Sequence, residues 1–343
     1  MHERAFLCEQ KELIIAIPSQ LTPTRMSDHA LGRYEDIRDL LPDVDNPTPL
    51  VRVRNTVAAD NVYLKLEWLN PFGSIKDRAA SYLIRSLLES GALEDREIVE
   101  ASSGNTGIAL AAIGAASGVK VTITIPDGVP EETKTILRML GAEVWETPDE
   151  LCPVDHPKDG AIALAHSLLA SEGGSRYVMP DQYENPENVR AHYETTGPEI
   201  WNQTEGEVSA FFAGFGTCGT LTGVGRYLKE RNPDVRIIAI EPQKGHRLPG
   251  LKSFAEAKEP GNLDRSVIDD VVAVPDDPAY KMTLRLHRED GLLVGPSTGA
   301  IVHAINTYDS FAEGIVVGVS PDGGAKYTTY FNEMLGADGL PTL

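Results

Sequence analysis

The chain has 343 residues, of which 41% are hydrophobic and 24% are charged, so it can bury one large or two moderate cores. Its formal net charge of −20 argues against nucleic-acid binding, because a phosphate backbone requires a basic surface. The first residues carry too many charges for a signal peptide, and no apolar run approaches the length of a membrane span. We therefore expect no nucleic-acid partner and no membrane partner.

The three cysteines, Cys8, Cys152 and Cys218, are odd in number and widely spaced. Neither feature fits a disulfide framework, and the absence of a Cys-x-x-Cys motif argues against a zinc site. We expect a reducing, cytoplasmic location and no bound metal.

Strand-like and helix-like segments alternate along most of the chain. The strand-like runs are 62–67, 97–100, 121–125, 143–145, 176–179, 208–213, 235–240 and 315–319. The helix-like runs are 77–88, 108–116, 131–140, 161–172, 188–201, 221–230 and 280–290. Such alternation predicts an α/β fold with parallel sheets that are covered by helices on both faces.

Three segments fall outside this alternation. Residues 1–45 form an N-terminal extension with a candidate strand at 13–17 and a candidate helix at 34–41, and we expect it to pack on the larger domain or on a partner subunit. Residues 147–160 are rich in proline and acidic side chains, which predicts a surface loop. Residues 251–270 are polar with little periodicity, which predicts a mobile flap or an irregular connection.

Lys76 stands where a strand-like run ends and a helix-like run begins, in the sequence Asn-Pro-Phe-Gly-Ser-Ile-Lys-Asp-Arg of residues 70–78. Such turns project side chains from the carboxyl edge of a sheet into the crevice where ligands bind. An amine at this position can form a Schiff base with an aldehyde cofactor. Position alone is more typical of a solvated surface lysine.

Two loops of small residues, 100–107 and 214–220, also follow strand-like runs and precede helix-like runs. Small residues let the backbone approach a ligand closely, and a helix N-terminus favours an anion. The second loop therefore suits a phosphate, although a lone glycine-rich turn is often only a tight turn. It matches Gly-x-Gly-x-x-Gly too late in the chain for a dinucleotide site, and it lacks the lysine of a Walker loop.

Seven segments of the chain form a set of motifs. In order along the chain they are 46–51, 65–78, 102–109, 182–201, 216–223, 295–300 and 321–327. The set resembles the pyridoxal-phosphate enzymes of the tryptophan-synthase-β type, in particular the cysteine synthase and cystathionine β-synthase branch. Residues 241–252 resemble the cysteine synthase B subgroup.

This resemblance implies two three-layer α/β/α domains with mostly parallel sheets and the cofactor, pyridoxal 5′-phosphate, in the cleft between them (the fold type II of such enzymes). Residues 82–186 would form a smaller mobile domain, and residues 46–81 plus 187–343 a larger domain that anchors the cofactor. The family usually forms homodimers, so a homodimer is expected.

The resemblance also implies a role for individual side chains. Lys76 would form the Schiff base and then act as the base at the substrate α-carbon, and Asn105 would lie beside the cofactor's 3-hydroxyl. The phosphate cradle would comprise Gly216, Thr217, Cys218, Gly219 and Thr220. The groups that hold the substrate carboxylate would be Ser102, Ser103, Gly104, Thr106 and Gln182. Ser102, Ser103 and Thr106 could equally cap the helix that follows them.

Two positions depart from the pattern of the family. Gly323 stands where the resemblance places a serine against the pyridine nitrogen, and Asp322 beside it would protonate the ring, which suits β-elimination poorly. We therefore expect a water or a neighbouring hydroxyl such as Ser320 there. Cys218 stands where most relatives have glycine, and it is either a reactive thiol or a small residue that merely fits.

The implied reaction is β-replacement on an O-activated L-serine by sulfide, which gives L-cysteine through an aminoacrylate. The activating group is acetyl or phosphate. Four basic residues in 241–252 could bind a phosphate or a sulfonate, unless they are surface charges: Lys244, His246, Arg247 and Lys252. Arg247 is the one we select as a substrate-binding residue. Alternatives are cystathionine β-synthase, another β-substituted-alanine synthase, a serine/threonine dehydratase-type eliminase, or a catalytically silent member that acts as a binding partner.

Overall fold

The computed structural model describes residues 32–148, 160–308 and 313–335. Its strands are β1 Leu50–Arg52, β2 Val62–Leu66, β3 Glu97–Ala101, β4 Val121–Pro126, β5 Glu143–Thr147, β6 Tyr177–Val178, β7 Val208–Gly214, β8 Arg236–Pro242, β9 Asp270–Val274 and β10 Ile315–Ser320. Its α-helices are α1 Lys76–Glu89, α2 Asn105–Ser117, α3 Glu131–Met139, α4 Ala161–Ala170, α5 Glu187–Ala191, α6 Gly197–Gln203, α7 Gly219–Arg231, α8 Asp276–Arg285, α9 Pro296–Thr307 and α10 Thr328–Leu335.

The strands form two sheets. The larger has the order β1-β2-β10-β7-β8-β9, and all of its neighbours run parallel except β1, which runs antiparallel to β2. The smaller has the order β5-β4-β3-β6 and is parallel throughout. The parallel strands of each sheet therefore present their carboxyl ends at one edge, where ligands bind in open α/β sheets.

Each sheet has a hydrophobic core of its own. Phe211 and Val317 belong to the core of the larger sheet and are fully buried. Ile98 and Ile123 belong to a second core, which packs the smaller sheet against apolar residues of α2. Strands buried in this way read as nearly continuous apolar runs, which is why the sequence reveals them. The α/β class with mostly parallel sheets is confirmed.

Several elements differ from their predicted form. The edge strands β1 and β9 were not predicted, because β1 has three residues and β9 alternates half-exposed and exposed side chains before a buried last residue. The predicted helix 188–201 consists of α5, a π-helical turn His192–Thr196 and α6. The candidate helix 34–41 is a 3-10 turn, Ile37–Leu40. Residues 251–270 form an irregular connection that contains one 3-10 turn, Arg265–Val267.

Some predictions fall on other parts of the chain. The candidate strand 13–17, Cys8, Cys152 and most of the loop 147–160 lie outside the described residues. The strands of the smaller sheet all fall within 82–186, but the assignment of this segment as a mobile domain stays a prediction. Within the described segments, no helix has the length and apolarity that crossing a membrane requires.

Candidate active site

Two adjoining cavities, of about 480 and 70 Å³, lie at the carboxyl ends of strands from both sheets. Lys76, Asn105, Gly216 and Thr217 line both of them. The chain reaches these positions after leaving β2, β3 and β7, so three sequence-predicted motifs meet at one place. The arrangement matches the crevice in which open α/β sheets bind their ligands.

Lys76 begins α1 and is half-buried against the smaller cavity. Its backbone N–H donates to Ser74 Oγ at 3.2 Å, whereas its ammonium makes no hydrogen bond or ion pair within the described part of the chain. Burial lowers the pKa of this amine, and the neighbouring Cys218 and Asp322 oppose the shift in part. A larger fraction of the amine is therefore neutral than on an exposed lysine, as a nucleophile or base requires.

The loop before Lys76 is fastened by side chains. Asn70 Nδ2 donates to the carbonyl oxygens of Glu67 and Ser74, at 2.8 and 2.9 Å. Asp77 accepts from the Phe72 N–H at 2.6 Å, and burial raises the pKa of its carboxyl to about 7. These bonds fix the turn that presents Lys76 to the cavity.

The serine and threonine loop lines the larger cavity. Ser102 Oγ accepts from the Gly107 N–H at 2.9 Å, so the hydroxyl caps α2, while Ser103 is exposed. Thr106 Oγ1 donates to Gln182 Oε1 at 2.6 Å, and Gln182 Nε2 donates to the Ala101 carbonyl at 3.1 Å. The predicted substrate-loop residues that line this cavity are Ser102, Ser103, Gly104, Thr106 and Gln182.

The glycine-rich loop closes the smaller cavity at the N-terminus of α7. A Cβ atom built on Gly216 would lie 3.0 Å from the Gly250 carbonyl oxygen, so glycine brings these two loops close together. Thr217, Cys218 and Thr220 line the cavity, whereas Gly219 packs against Asn188 instead. The free N–H groups and hydroxyls of this loop suit an anion.

Two residues that support the loop were missed by the sequence analysis. Asn188 Nδ2 donates to Thr217 Oγ1 at 2.9 Å, and His192 Nε2 lies 3.2 Å from Thr220 Oγ1. His192 is fully buried, and burial lowers its pKa to about 3, so the ring is neutral. The sequence shows Asn188 and His192 only as polar residues in a predicted helix, and it does not show that both are buried.

Cys218 adopts a left-handed backbone conformation, with φ of +63°, at the start of α7. Its side chain is buried, and burial raises the pKa of the thiol to about 12. The thiol is therefore protonated at neutral pH, which favours the interpretation of a small buried residue over that of a reactive nucleophile.

The structure does not support the position inferred for Gly323. This glycine is absent from the lining of both cavities, and the Ser320 hydroxyl bonds with Thr298 Oγ1 at 3.0 Å. Ser297, at the start of α9, lines the smaller cavity together with Thr217 and Thr220. The motif 295–300 contained this serine, but its sequence did not indicate which hydroxyl faces the cavity.

Arg247, which was predicted to bind substrate, does not lie at either cavity. Its side chain is exposed and is absent from the lining of either cavity. Lys252, five residues later, lines the larger cavity, and its ammonium lies 5.4 Å from the centre of the Tyr183 ring. The segment 241–252 does supply a cation to the cavity, and it comes from Lys252, another of the four basic residues considered for this role. Among the described residues, no group of His, Cys, Asp and Glu side chains could hold a metal ion.

The fold and site define an α/β enzyme with a buried amine and an anion cradle in one cleft. The chain belongs to the family of pyridoxal-phosphate dependent enzymes, whose model matches residues 41–322. A cysteine synthase from Aquifex aeolicus is 39% identical over 308 residues, which cover 86% of this chain and 92% of that protein. A cysteine synthase from Staphylococcus aureus is 39% identical over 303 residues, which cover 84% of this chain and 95% of that protein.

Solved structures agree with this family. The crystal structure of O-ureido-L-serine synthase has a TM-score of 0.78 at 33% identity and covers 89% of this chain and 98% of that one. The cysteine synthase of Entamoeba histolytica has a TM-score of 0.76 at 29% identity and covers 87% of this chain and 90% of that one. The resemblance inferred from the seven motifs is confirmed.

Proposed function

We propose that this chain is a cysteine synthase, which replaces the Cβ oxygen substituent of an activated L-serine with sulfide to give L-cysteine. In this reaction the Cβ–O bond breaks, a Cβ–S bond forms, and a proton leaves the α-carbon and later returns. The observation that carries the proposal is that Lys76, the Ser102–Thr106 loop and the glycine cradle line one pair of joined cavities. The cysteine synthases at 39% identity support the same choice of reaction.

Pyridoxal 5′-phosphate fits the residues of the smaller cavity. Thr217 and Thr220 would hold its phosphate at the N-terminus of α7, where Gly216 lets this loop pass close to Gly250. Lys76 and Asn105 would face its ring, and Ser297 offers a neutral hydroxyl in the same cavity. When bound, the cofactor supplies an aldehyde group and an electron-accepting ring.

The remaining steps belong to side chains of the protein. Ser103, Thr106 and Gln182 would bind the substrate α-carboxylate at the N-terminus of α2, where the helix dipole favours a negative charge. The amine of Lys76, with its lowered pKa, would take the α-proton and return it after the sulfur has added.

The test is the formation of cysteine from O-acetyl-L-serine and sulfide by the holoenzyme and its variants. Lys76→Ala should lose turnover by at least a thousandfold and should also lose the visible absorption band of the bound cofactor. Lys120→Ala, which removes a lysine with a 79% exposed side chain, is the matched control and should retain both. A Lys76→Ala protein with normal turnover would refute the assignment, and a wild type that binds the cofactor but forms no cysteine would refute the reaction.

If the donor is O-phospho-L-serine, we expect Lys252 to bind its phosphate leaving group. It is the basic residue of segment 241–252 that lines the larger cavity, and a phosphate needs a cation there. Lys252→Met should then lower kcat/KM for O-phospho-L-serine at least tenfold more than for O-acetyl-L-serine. Arg247→Met is the comparison, since its guanidinium is exposed. Equal losses with both donors would show that Lys252 does not recognise the leaving group, and a selective loss in Arg247→Met would restore the role first predicted for Arg247.

A second candidate is the use of a nucleophile other than sulfide. The observation in its favour is the similarity to O-ureido-L-serine synthase, at 33% identity and a TM-score of 0.78. Hydroxyurea in place of sulfide would then give an O-ureido product, and mass spectrometry of the amino acid formed distinguishes the two. Sulfide should be preferred by at least tenfold if the enzyme is a cysteine synthase.

We also propose that the enzyme is a homodimer, as its family resemblance implies. Its odd number of widely spaced cysteines supports a cytoplasmic location. Sedimentation equilibrium of the holoenzyme should give twice the mass of one chain. A monomeric mass with full activity would refute the dimer.

A further inference from the structure

Asn105 is held at both ends of its side-chain amide. Its Nδ2 donates to Asp322 Oδ2 at 2.6 Å, and its Oδ1 accepts from Lys326 Nζ at 2.8 Å. The Tyr327 hydroxyl donates a short hydrogen bond to the same oxygen of Asp322. Lys326 also donates to the Gly73 carbonyl at 3.1 Å, in the loop that leads to Lys76. Asn105, the first residue of α2, is therefore bonded to the segment that follows β10. Through Lys326 it is also linked to the turn that precedes Lys76.

These partners permit only one orientation of the amide. A lysine ammonium can only donate, so it must face Oδ1, and Asp322 Oδ2 accepts two hydrogen bonds, so it must face Nδ2. Rotation of the amide by 180° would set donor against donor and acceptor against acceptor. The Tyr327 hydroxyl lies against the same amide, and Asn105 lines both cavities, so a fixed amide faces whatever binds there.

The role of Asp322 does not depend on its protonation. The residue is 2% exposed, and burial raises the pKa of its carboxyl, although Tyr327 and Asn105 stabilise the ionised form. Its Oδ1 has no hydrogen-bond partner among the described residues. A proton would therefore settle on Oδ1, and Oδ2 would remain an acceptor in both states.

We propose that Asp322 and Lys326 are positioning residues that lock the Asn105 amide in the one orientation in which it faces the ring of bound pyridoxal 5′-phosphate. The inference rests on the proposed use of that cofactor, but it does not depend on the identity of the donor or nucleophile.

The experiment measures the affinity of the cofactor-free full-length protein for pyridoxal 5′-phosphate, together with the visible circular dichroism of the bound cofactor. Lys326→Met should weaken binding at least tenfold and change the circular dichroism band, whereas Lys326→Arg, which keeps a donor, should stay within threefold of wild type. Lys120→Met, at a lysine with a 79% exposed side chain, is the matched control and should stay within twofold. Asp322→Leu removes the other lock and should weaken binding as Lys326→Met does.

A double-mutant cycle separates positioning from general damage. If Lys326 acts through Asn105, then Lys326→Met should have less than a twofold effect in an Asn105→Ala background. Full additivity of the two losses, or unchanged affinity and circular dichroism in both Lys326→Met and Asp322→Leu, would overturn the proposal. Because these readouts need only the cofactor, a failure to form cysteine would refute the proposed function and leave this test intact.

Discussion

Arg78 and Glu199 form a fully buried ion pair in which both terminal nitrogens of the guanidinium bond the carboxylate, with Nη2 to Oε2 at 2.8 Å. The same guanidinium bonds Glu67, with Nε to Oε2 at 2.7 Å. Burial opposes ionisation of Glu67, but the charge of Arg78 prevails and lowers its pKa to about 2. Since Arg78 lies two residues after Lys76, these bonds anchor the start of α1 to α6 and to the end of β2.

Replacement of Arg78 should cost much of the stability of the fold. Arg78→Met leaves two buried carboxylates with Lys65 as their remaining cation, and we expect the free energy of unfolding to fall by about 3–5 kcal/mol. Arg85→Met, on the same helix, removes a partly exposed arginine that lies 3.9 Å from Glu89 and should cost less than about 1 kcal/mol. Urea unfolding monitored by circular dichroism measures both, and similar losses would contradict the structural role of the pair.

Glu100 should make the fold less stable as the pH rises. It is fully buried at the end of β3, and its Oε2 accepts from the Asp181 N–H at 2.8 Å. Burial and the charge of Asp181 raise its pKa from the ordinary 4.5 to about 8. The native state therefore binds this proton more tightly than the unfolded chain, and the free energy of unfolding falls between about pH 4.5 and pH 8, by up to about 1.4 kcal/mol per pH unit.

Glu100→Gln should remove this slope. Urea unfolding at several values from pH 5 to pH 9 should give a curve for the variant that falls less with pH than that of wild type. Glu94→Gln, at an exposed glutamate close to β3 in sequence, is the control. Parallel curves for Glu100→Gln and wild type would show that the carboxyl is ionised throughout this range.

The parts of the site that could be predicted from the sequence are those with a local cause. A lysine at a strand-to-helix turn and small residues before a helix need only neighbours in the chain to be recognised, and Lys76 and Gly216 were found in this way. The long buried strands were also evident, since an apolar run requires no knowledge of its partners.

The parts that could not be predicted depend on residues far apart in the chain. Lys326 reaches Asn105 across 221 positions, and Asn188 reaches Thr217 across 29, so neither contact leaves a local pattern. Motif matching also fixes a position in the chain but not the direction of its side chain. For this reason Gly323 was inferred at the pyridine nitrogen, and Arg247 was preferred among four basic residues. The residues of these motifs that line the cavities are Ser297 and Lys252.

Cys218 should resist alkylation in the native protein. Burial raises the pKa of its thiol to about 12, so only about one molecule in ten thousand carries a thiolate at pH 8. Brief treatment with iodoacetamide followed by peptide mass mapping should label Cys218 at least a hundredfold more slowly in the native protein than in urea. Labelling at similar rates in both states would mean that the thiol is accessible and ionised, and would reopen the question of a chemical role.

Gly219→Ala should weaken cofactor binding, although Gly219 does not line the cavity itself. The added Cβ would lie 2.1 Å from Asn188 Oδ1, so Asn188 must move and its 2.9 Å bond to Thr217 must lengthen or break. Overpacking of this kind costs about 1–3 kcal/mol, and we expect affinity for pyridoxal 5′-phosphate to fall about tenfold. Gly173→Ala is the matched control, because a Cβ there meets no atom within 4 Å. Titration of the cofactor-free proteins measures both, and equal affinities would show that Asn188 does not support the cradle.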